Sequence, residues 1–246
     1  MIIDFHTHVD EAEAFGWIDP PEKIIGLLDA AGIDQAVIMT YTDLPGTNPS
    51  ALEYIVDAAA RYPDRLIPFV RLNPNYPAEL VDIVARAVEL GVRGIKTHPT
   101  TTIAHPAGDA TLAMLRLAAD AGLPVLFHCG DDPYTTPQAL GVAAAAVPDC
   151  TIVLAHMGGY FHVADAIETA RRHPNIVLET SAMPYPELIA QAIEVVGADR
   201  VVFGSDGPGC NPRLELQKVL GLGLPPEIER AVLGGNAQRL LGGTDR

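Results

Sequence analysis

Two histidines one residue apart stand near the start of the chain, in "MIIDFHTHVD". If this segment is a β-strand, His6 and His8 point to one side, while Phe5 and Thr7 face the opposite side, toward a layer of helices. Imidazole nitrogens are the commonest metal ligands among protein side chains. The pair is therefore either a metal clamp or polar surface near a terminus, and the rest of the chain has to decide between them.

Further residues of metal-ligand type end other short apolar runs of the sequence. Lys96 and His98 end "RGIKTH", His128 stands in "PVLFHC", His156 ends "TIVLAH" and Asp206 ends "VVFGSD". Each position alone has an ordinary reading, such as a hydrogen-bonded core histidine or a turn aspartate. Chance would have to place every one of these polar residues at the same end of its run, so together they indicate a metal site.

The elements that must position these residues repeat along the chain. Runs rich in β-branched residues predict strands at 2–6, 35–40, 66–72, 93–98, 124–129, 151–156, 176–181 and 201–206. Ala- and Leu-rich amphipathic stretches that close at Gly or Pro separate them. Such alternation predicts parallel strands joined by right-handed crossovers. Eight units in 246 residues predict a (β/α)8 TIM barrel, the fold class α/β, as a single domain over 1–246.

A doubly wound open sheet is the alternative architecture, but it normally carries a Gly-rich phosphate turn after an early strand, and the sequence has none. In a barrel the carboxyl ends of all strands meet at one face. The polar strand ends therefore converge there. Neutral imidazoles and a carboxylate suit zinc, and a metal with an open coordination position lowers the pKa of bound water to about 7. Asp206 is placed to bind the metal and to take a proton from that water.

The bulk composition excludes several kinds of partner. The net charge of −15 argues against nucleic acid and anionic membranes as partners, because both require clustered Lys and Arg. Three cysteines form no paired framework, which indicates a reducing compartment. We find neither a leader segment nor an apolar run long enough to cross a membrane. We expect a cytoplasmic protein whose partner is a small-molecule substrate, with a homo-oligomer left open.

The motifs in order resemble those of the amidohydrolase superfamily, in the amidohydrolase-related branch that includes aminocarboxymuconate semialdehyde decarboxylase. They are "DFHTH", "GIKTHP", "FHCG", "LAHMGG", "FGSDGP" and "LGGNAQRLL", and they cover nearly the full chain. The resemblance implies that His6, His8, His128 and Asp206 bind the metal. It also implies that His156 is a further ligand if two metals are present, or a proton shuttle if there is one.

Lys96 separates the one-metal and two-metal forms of this superfamily. In branches with two metals the resemblance implies a carbamylated Lys96 that bridges them, whereas with one metal Lys96 is a free ammonium near the substrate. An ion pair with Glu179 is the ordinary structural alternative. We expect one divalent metal ion, zinc in the first place and manganese as the alternative.

The expected activity is a metal-dependent hydrolase that cleaves an amide, ester or lactone of a small molecule, with Asp206 and His156 as catalytic residues. The alternatives are a lyase, either a decarboxylase or a hydratase of a small unsaturated carboxylic acid, and a non-catalytic binding protein. Five residues are expected to bind substrate: Lys96, His98, Arg71, Trp17 and Tyr41. Arg71 would hold a carboxylate and Trp17 would form an apolar wall. A rim ion pair for Arg71, a core position for Trp17 and simple packing for Tyr41 are the alternatives.

Overall fold

The computed structural model of the chain describes residues 1–12, 16–41 and 49–242. Its strands are β1 (Ile3–His8), β2 (Asp10–Ala12), β3 (Trp17–Asp19), β4 (Gln35–Met39), β5 (Leu66–Arg71), β6 (Gly94–Thr97), β7 (Val125–His128), β8 (Ile152–Ala155), β9 (Ile176–Glu179) and β10 (Val201–Val202). Its helices are α1 (Pro21–Ala31), α2 (Pro49–Ala60), α3 (Pro77–Glu89), α4 (Pro99–Thr102), α5 (Asp109–Asp120), α6 (Pro137–Ala146), α7 (Val163–Arg172), α8 (Pro186–Val196), α9 (Pro212–Leu220), α10 (Pro226–Arg230) and α11 (Asn236–Leu240). Many of these helices begin with proline, whose missing N–H costs nothing at the first helical position.

Eight of the strands form one parallel sheet in the order β1-β4-β5-β6-β7-β8-β9-β10. Backbone hydrogen bonds from the segment after β10 to β1 close the sheet: the amide of Phe5 donates to Phe203, that of Asp206 to His6 and that of His8 to Gly207, at 2.9, 2.7 and 2.7 Å. The predicted (β/α)8 TIM barrel is therefore confirmed. The predicted single domain, 1–246, includes residues outside the described ranges.

The first strand departs from the simple alternation that the sequence predicted. Asp4 pairs with Ala36 and Thr7 with Ile38, so β1 carries one extra residue between these pairs. Such a bulge interrupts the alternation of side chains. Phe5 packs inside the barrel, with its ring 5.5 Å from that of Phe69 in an edge-to-face arrangement. The expectation that Phe5 faces the helices is therefore wrong, and the bulge returns His6 and His8 to the inner side above it.

The barrel strands divide the apolar core into an inner and an outer cluster. On β7, Val125 and Phe127 belong to the outer cluster under the helices, Leu126 fills the barrel interior and His128 opens onto a cavity above it. On β6, a side chain at Gly94 would overlap the ring of Phe69, so only glycine fits at that level. The period of two thus carries polar side chains such as His128 past the apolar interior to the upper face.

A short antiparallel hairpin, β2 with β3, follows the first barrel strand. The sequence predicted a loop there, and the hairpin places Trp17 at the mouth of the barrel with 44% of its surface exposed. Among the helices of the described residues, none combines the length and the apolarity that a membrane crossing requires.

Candidate metal centre

A cavity of about 210 Å³ opens at the carboxyl ends of the barrel strands. Its lining consists of His6, His8, Trp17, Tyr41, Arg71, Lys96, His98, Thr101, His128, His156 and Asp206. All ten residues for which the sequence predicted a role are in this set. Thr101, from the short helix α4 after β6, was missed, although its polar segment directly follows the predicted strand that ends in Lys96 and His98.

Three side chains meet at the floor of this cavity. Nε2 of His6 lies 3.1 Å from Nε2 of His8. Oδ1 of Asp206 lies 3.4 Å from Nε2 of His6 and 3.1 Å from Nε2 of His8. His156 approaches the same point. A possible ligand atom of His156 lies within 4.8 Å of one from His6 and one from Asp206. We refer to His6, His8, His156 and Asp206 as the floor cluster.

The three imidazoles of the floor cluster each direct Nδ1 to an oxygen. The contacts are from His6 to Oε2 of Glu179 at 3.1 Å, from His8 to the Thr40 carbonyl at 3.3 Å, and from His156 to the Ser181 carbonyl at 3.3 Å. A carbonyl or carboxylate oxygen binds the protonated ring nitrogen. The unprotonated Nε2 of each ring then carries a lone pair that is available to a metal, as in most protein metal sites.

Burial sets the charge state of these groups. It lowers the pKa of His8 and His156 below the ordinary histidine value, and that of His6 and His128 well below it. Burial alone would raise the pKa of Asp206, but its contacts with His6 and His8 hold that pKa well below the usual range. The cluster therefore combines neutral imidazoles with an ionised carboxylate.

This donor set fits a divalent cation. Imidazole nitrogens and a carboxylate are ligands for zinc and other divalent transition metals, and several lone pairs pointing at one another need a positive charge between them. Lys96 adds a positive charge to the cluster, because Nζ lies 3.0 Å from Nε2 of His6 although the side chain is only 1% exposed. A metal ion at this point would compete with the Lys96 ammonium for that nitrogen.

His128, which the resemblance implied as a ligand, lies one contact further from His6. Its Nδ1 is 3.1 Å from Nε2 of His156. Its ring stacks on that of His98, with centroids 3.9 Å apart and planes inclined by 9°. Within the described geometry His156 thus stands between His128 and the rest of the cluster.

Aromatic rings form the wall over the other side of the cluster. Tyr41 stacks on His8 with centroids 4.1 Å apart and an angle of 13°, and Trp17 packs on Tyr41 at 4.2 Å. Arg71 is 7% exposed and donates to the Thr40 carbonyl at 3.2 Å and to Oγ1 of Thr101 at 3.4 Å. Arg71 therefore faces the cavity interior, and exposed Trp17 is not a core residue.

Two members of the floor cluster have left-handed backbone conformations. His156 has φ 63° and Asp206 has φ 59°, and Asp206 follows β10 instead of ending it as the sequence predicted. Conformations of this kind cost roughly 1–3 kcal/mol each and persist where the surrounding structure holds them, often at functional sites. Here they turn side chains from the strand ends inward over the cavity floor.

Glu179 and Ser181 are polar residues beneath the cluster that the sequence did not assign to the site. Both are fully buried. From the sequence, Glu179 was expected only as an ion-pair partner of Lys96. In the structure its carboxylate contacts His6, Ser181 and the backbone amide of His156. Burial raises the pKa of Glu179, while His156 and Ser181 act to lower it. A charged residue in the apolar run "IVLETS" was the available signal.

A second opening adjoins the first. Its volume is about 270 Å³, and it shares His128, His156 and Asp206 with the first cavity. Its other walls include Asp131, whose carboxylate accepts the amides of Tyr160 and Phe161 at 3.2 and 3.0 Å. These bonds hold the loop that follows His156.

Comparisons with known proteins place the chain in context. The family model described as amidohydrolase matches residues 3–243. No curated protein matches the sequence. An uncharacterized TIM-barrel protein from Bordetella bronchiseptica is 24% identical, with 100% of this chain and 99% of that one covered and a TM-score of 0.80.

Several of the similar solved structures are named for a reaction, among them two 5-carboxyvanillate decarboxylases. A 5-carboxyvanillate decarboxylase from Sphingomonas paucimobilis is 16% identical, with 99% of both chains covered and a TM-score of 0.77. A 5-carboxyvanillate decarboxylase from Novosphingobium aromaticivorans, complexed with manganese and 4-hydroxy-3-methoxy-5-nitrobenzoic acid, is 16% identical, with 98% and 96% covered and a TM-score of 0.79. Both of these similar proteins are decarboxylases, so the comparisons contradict the expectation of a hydrolase and favour the lyase alternative over it.

Proposed function

The chain belongs to the amidohydrolase family, and from that premise we propose that it is a metal-dependent decarboxylase of a small carboxylic acid. The observation that carries the proposal is the pairing of two buried cations, Arg71 and Lys96, with the floor cluster in one cavity. A planar guanidinium and an ammonium suit a carboxylate. The similar solved structures with a named reaction support the same class of chemistry.

We assign binding of the metal to His6, His8, His156 and Asp206. A divalent ion at this point supplies a Lewis acid that withdraws electron density from a substrate oxygen. Manganese is the first metal to test, because one similar decarboxylase was complexed with it, and zinc is the alternative. His156 replaces His128 in this ligand set, because it lies closer to His6 and Asp206.

Other side chains bind the substrate, exclude water and transfer the proton. Arg71 and Lys96 bind and orient the substrate carboxylate, while Tyr41 and Trp17 exclude water from its apolar part. Asp206, whose side chain is 25% exposed to the cavities, accepts a proton from water and delivers it to the substrate carbon. The bond from that carbon to the carboxylate breaks, its electron pair stays on the carbon and takes the proton, and carbon dioxide leaves.

The test is a substrate panel on manganese-loaded protein. Small aromatic and unsaturated carboxylic acids, labelled with ¹³C at the carboxylate, are incubated in D₂O. We expect labelled carbon dioxide and one deuterium on the product carbon. Arg71→Met should raise KM about tenfold or more through loss of a charged hydrogen bond, while exposed Arg93→Met serves as the matched control. Release of carbon dioxide from none of the acids would overturn the proposal.

A further inference from the structure

The carboxylate of Glu179 is surrounded by hydrogen-bond donors. Oε1 accepts the amide of Ser181 at 2.5 Å. Oε2 accepts the hydroxyl of Ser181 at 2.8 Å, the amide of His156 at 3.3 Å and Nδ1 of His6 at 3.1 Å. Because both oxygens accept hydrogen bonds, the position requires a group that accepts hydrogen bonds and donates none.

These contacts determine where the protons lie on two rings of the floor cluster. The Ser181 hydroxyl has one proton and gives it to Glu179, so its oxygen must accept from Nδ1 of His156 at 2.9 Å and Nδ1 of His6 at 3.3 Å. The Ser181 carbonyl also faces Nδ1 of His156. Every contact becomes a donor–acceptor pair only if Nδ1 of both His6 and His156 is protonated, which leaves both Nε2 atoms with lone pairs.

The backbone leaves room for this carboxylate. A side-chain carbon at Gly204 would overlap Oε1 of Glu179, so the glycine of "FGSD" accommodates the acid from the neighbouring strand. Glu179 is held on strand β9 at one end and by Ser181 two residues later at the other. Its position beneath two histidines from separate strands is thus a built feature of the barrel.

We propose that Glu179 is a positioning residue that holds His6 directly, and His156 through Ser181, in one tautomer, with Nε2 of each directed at the metal position. The proposal rests on the metal centre of the proposed function but not on the reaction. Glu179 lies in β9, a strand to which we assign no metal ligand. Under this proposal it controls how tightly His6, in β1, and His156, after β8, bind the ion.

Glu179→Gln is the informative change because it keeps the shape and alters only the donors. The amide would direct two N–H groups at neighbours that are themselves donors, and no rotation satisfies both Ser181 and His6. We expect the dissociation constant for Mn²⁺, measured by calorimetric titration of the chelated and refilled protein, to rise about 10–100-fold. Ser181→Ala keeps the carboxylate and the carbonyl acceptor, so we expect a smaller rise.

Glu215→Gln is the matched control. Glu215 is also buried and accepts the amide of Ala182 at 2.9 Å, next to Ser181, but it bonds Lys218 instead of a histidine. We expect it to leave Mn²⁺ binding unchanged. Should Glu179→Gln bind Mn²⁺ as tightly as the parent protein, the proposal fails.

Histidine ¹⁵N spectra of metal-free protein test the tautomers directly and separate this proposal from the proposed function. The parent should show Nδ1–H forms for His6 and His156, and Glu179→Gln should lose them or mix them. If Glu179→Gln fails to fold, Glu179→Asp, which withdraws the carboxylate from His6 and Ser181 by one methylene, is measured the same way. Unchanged tautomers in a folded variant overturn the proposal, whereas correct tautomers in a parent protein that binds no metal overturn only the metal centre.

Discussion

Nζ of Lys96 lies 3.0 Å from Nε2 of His6, a nitrogen of the floor cluster. The two residues come from strands β6 and β1 and line the same cavity. A buried ammonium at this distance repels a divalent cation, unless carbamylation converts the lysine into an anionic ligand. The contact therefore bears directly on whether the centre holds one metal or two.

Lys96→Met should distinguish these two forms. With one metal and an uncarbamylated, charged Lys96, loss of the charge should leave Mn²⁺ binding as tight as before or tighter, and KM for the carboxylic acid should rise about tenfold or more. Metal analysis and steady-state kinetics measure both, with exposed Lys23→Met as the control. Loss of metal in Lys96→Met would instead indicate a bridging, carbamylated lysine.

Paired substitutions of His128 and His156 should identify the fourth ligand. His156 lies with His6 and Asp206, whereas His128 lies against His156 and His98. We therefore expect His156→Asn to weaken Mn²⁺ binding more than His128→Asn does. Titration of both variants with the metal makes the comparison. The reverse order would restore His128 as the ligand and return His156 to proton transfer.

Asp206→Asn should separate metal binding from proton transfer. Asparagine retains an oxygen near His8 but cannot take up and deliver a proton. We expect the fold and much of the bound metal to remain while kcat falls on the order of 10²–10⁴-fold, as for loss of a general acid–base. Turnover and metal content are measured on one folded preparation. Turnover near that of the parent protein would exclude Asp206 as the proton carrier.

The metal-free protein should lose stability on mild acidification. Burial lowers the pKa of four histidines, so below their ordinary value of 6.5 the unfolded chain binds protons that the folded chain does not. The free energy of unfolding therefore decreases as the pH is lowered through this window, by up to about 1.4 kcal/mol per pH unit for each proton. Asp4, whose pKa burial raises to about 8, acts in the opposite direction, as do Glu179 and Glu215, whose pKa values burial also raises.

Urea unfolding of chelated protein at about pH 7 and about pH 5.5 measures this dependence. The four histidines outnumber the three buried acids, so we expect lower stability at the lower pH. His128→Asn should reduce the slope by the contribution of one proton. A free energy of unfolding that stays constant or increases on acidification would contradict the assignment of neutral histidines.

Local patterns in the sequence were sufficient for the barrel and for the membership of the cavity wall. Alternation of side chains along a strand depends on the backbone alone, and it carries residues such as Lys96 and His128 past the apolar interior to the upper face. The parallel order of the strands then places all their carboxyl ends together. For this reason the predicted residues line one cavity although they come from widely separated parts of the chain.

Only the tertiary structure decided the contacts within that wall. The bulge in β1, the left-handed backbone of Asp206 and the approach of His156 to His6 depend on how neighbouring strands pair and twist, which the sequence of one strand does not encode. The same holds for Glu179, which reads locally as a charge in an apolar run. Glu179 accepts a hydrogen bond from His6 because folding brings these two residues, 173 positions apart in the sequence, to a distance of 3.1 Å.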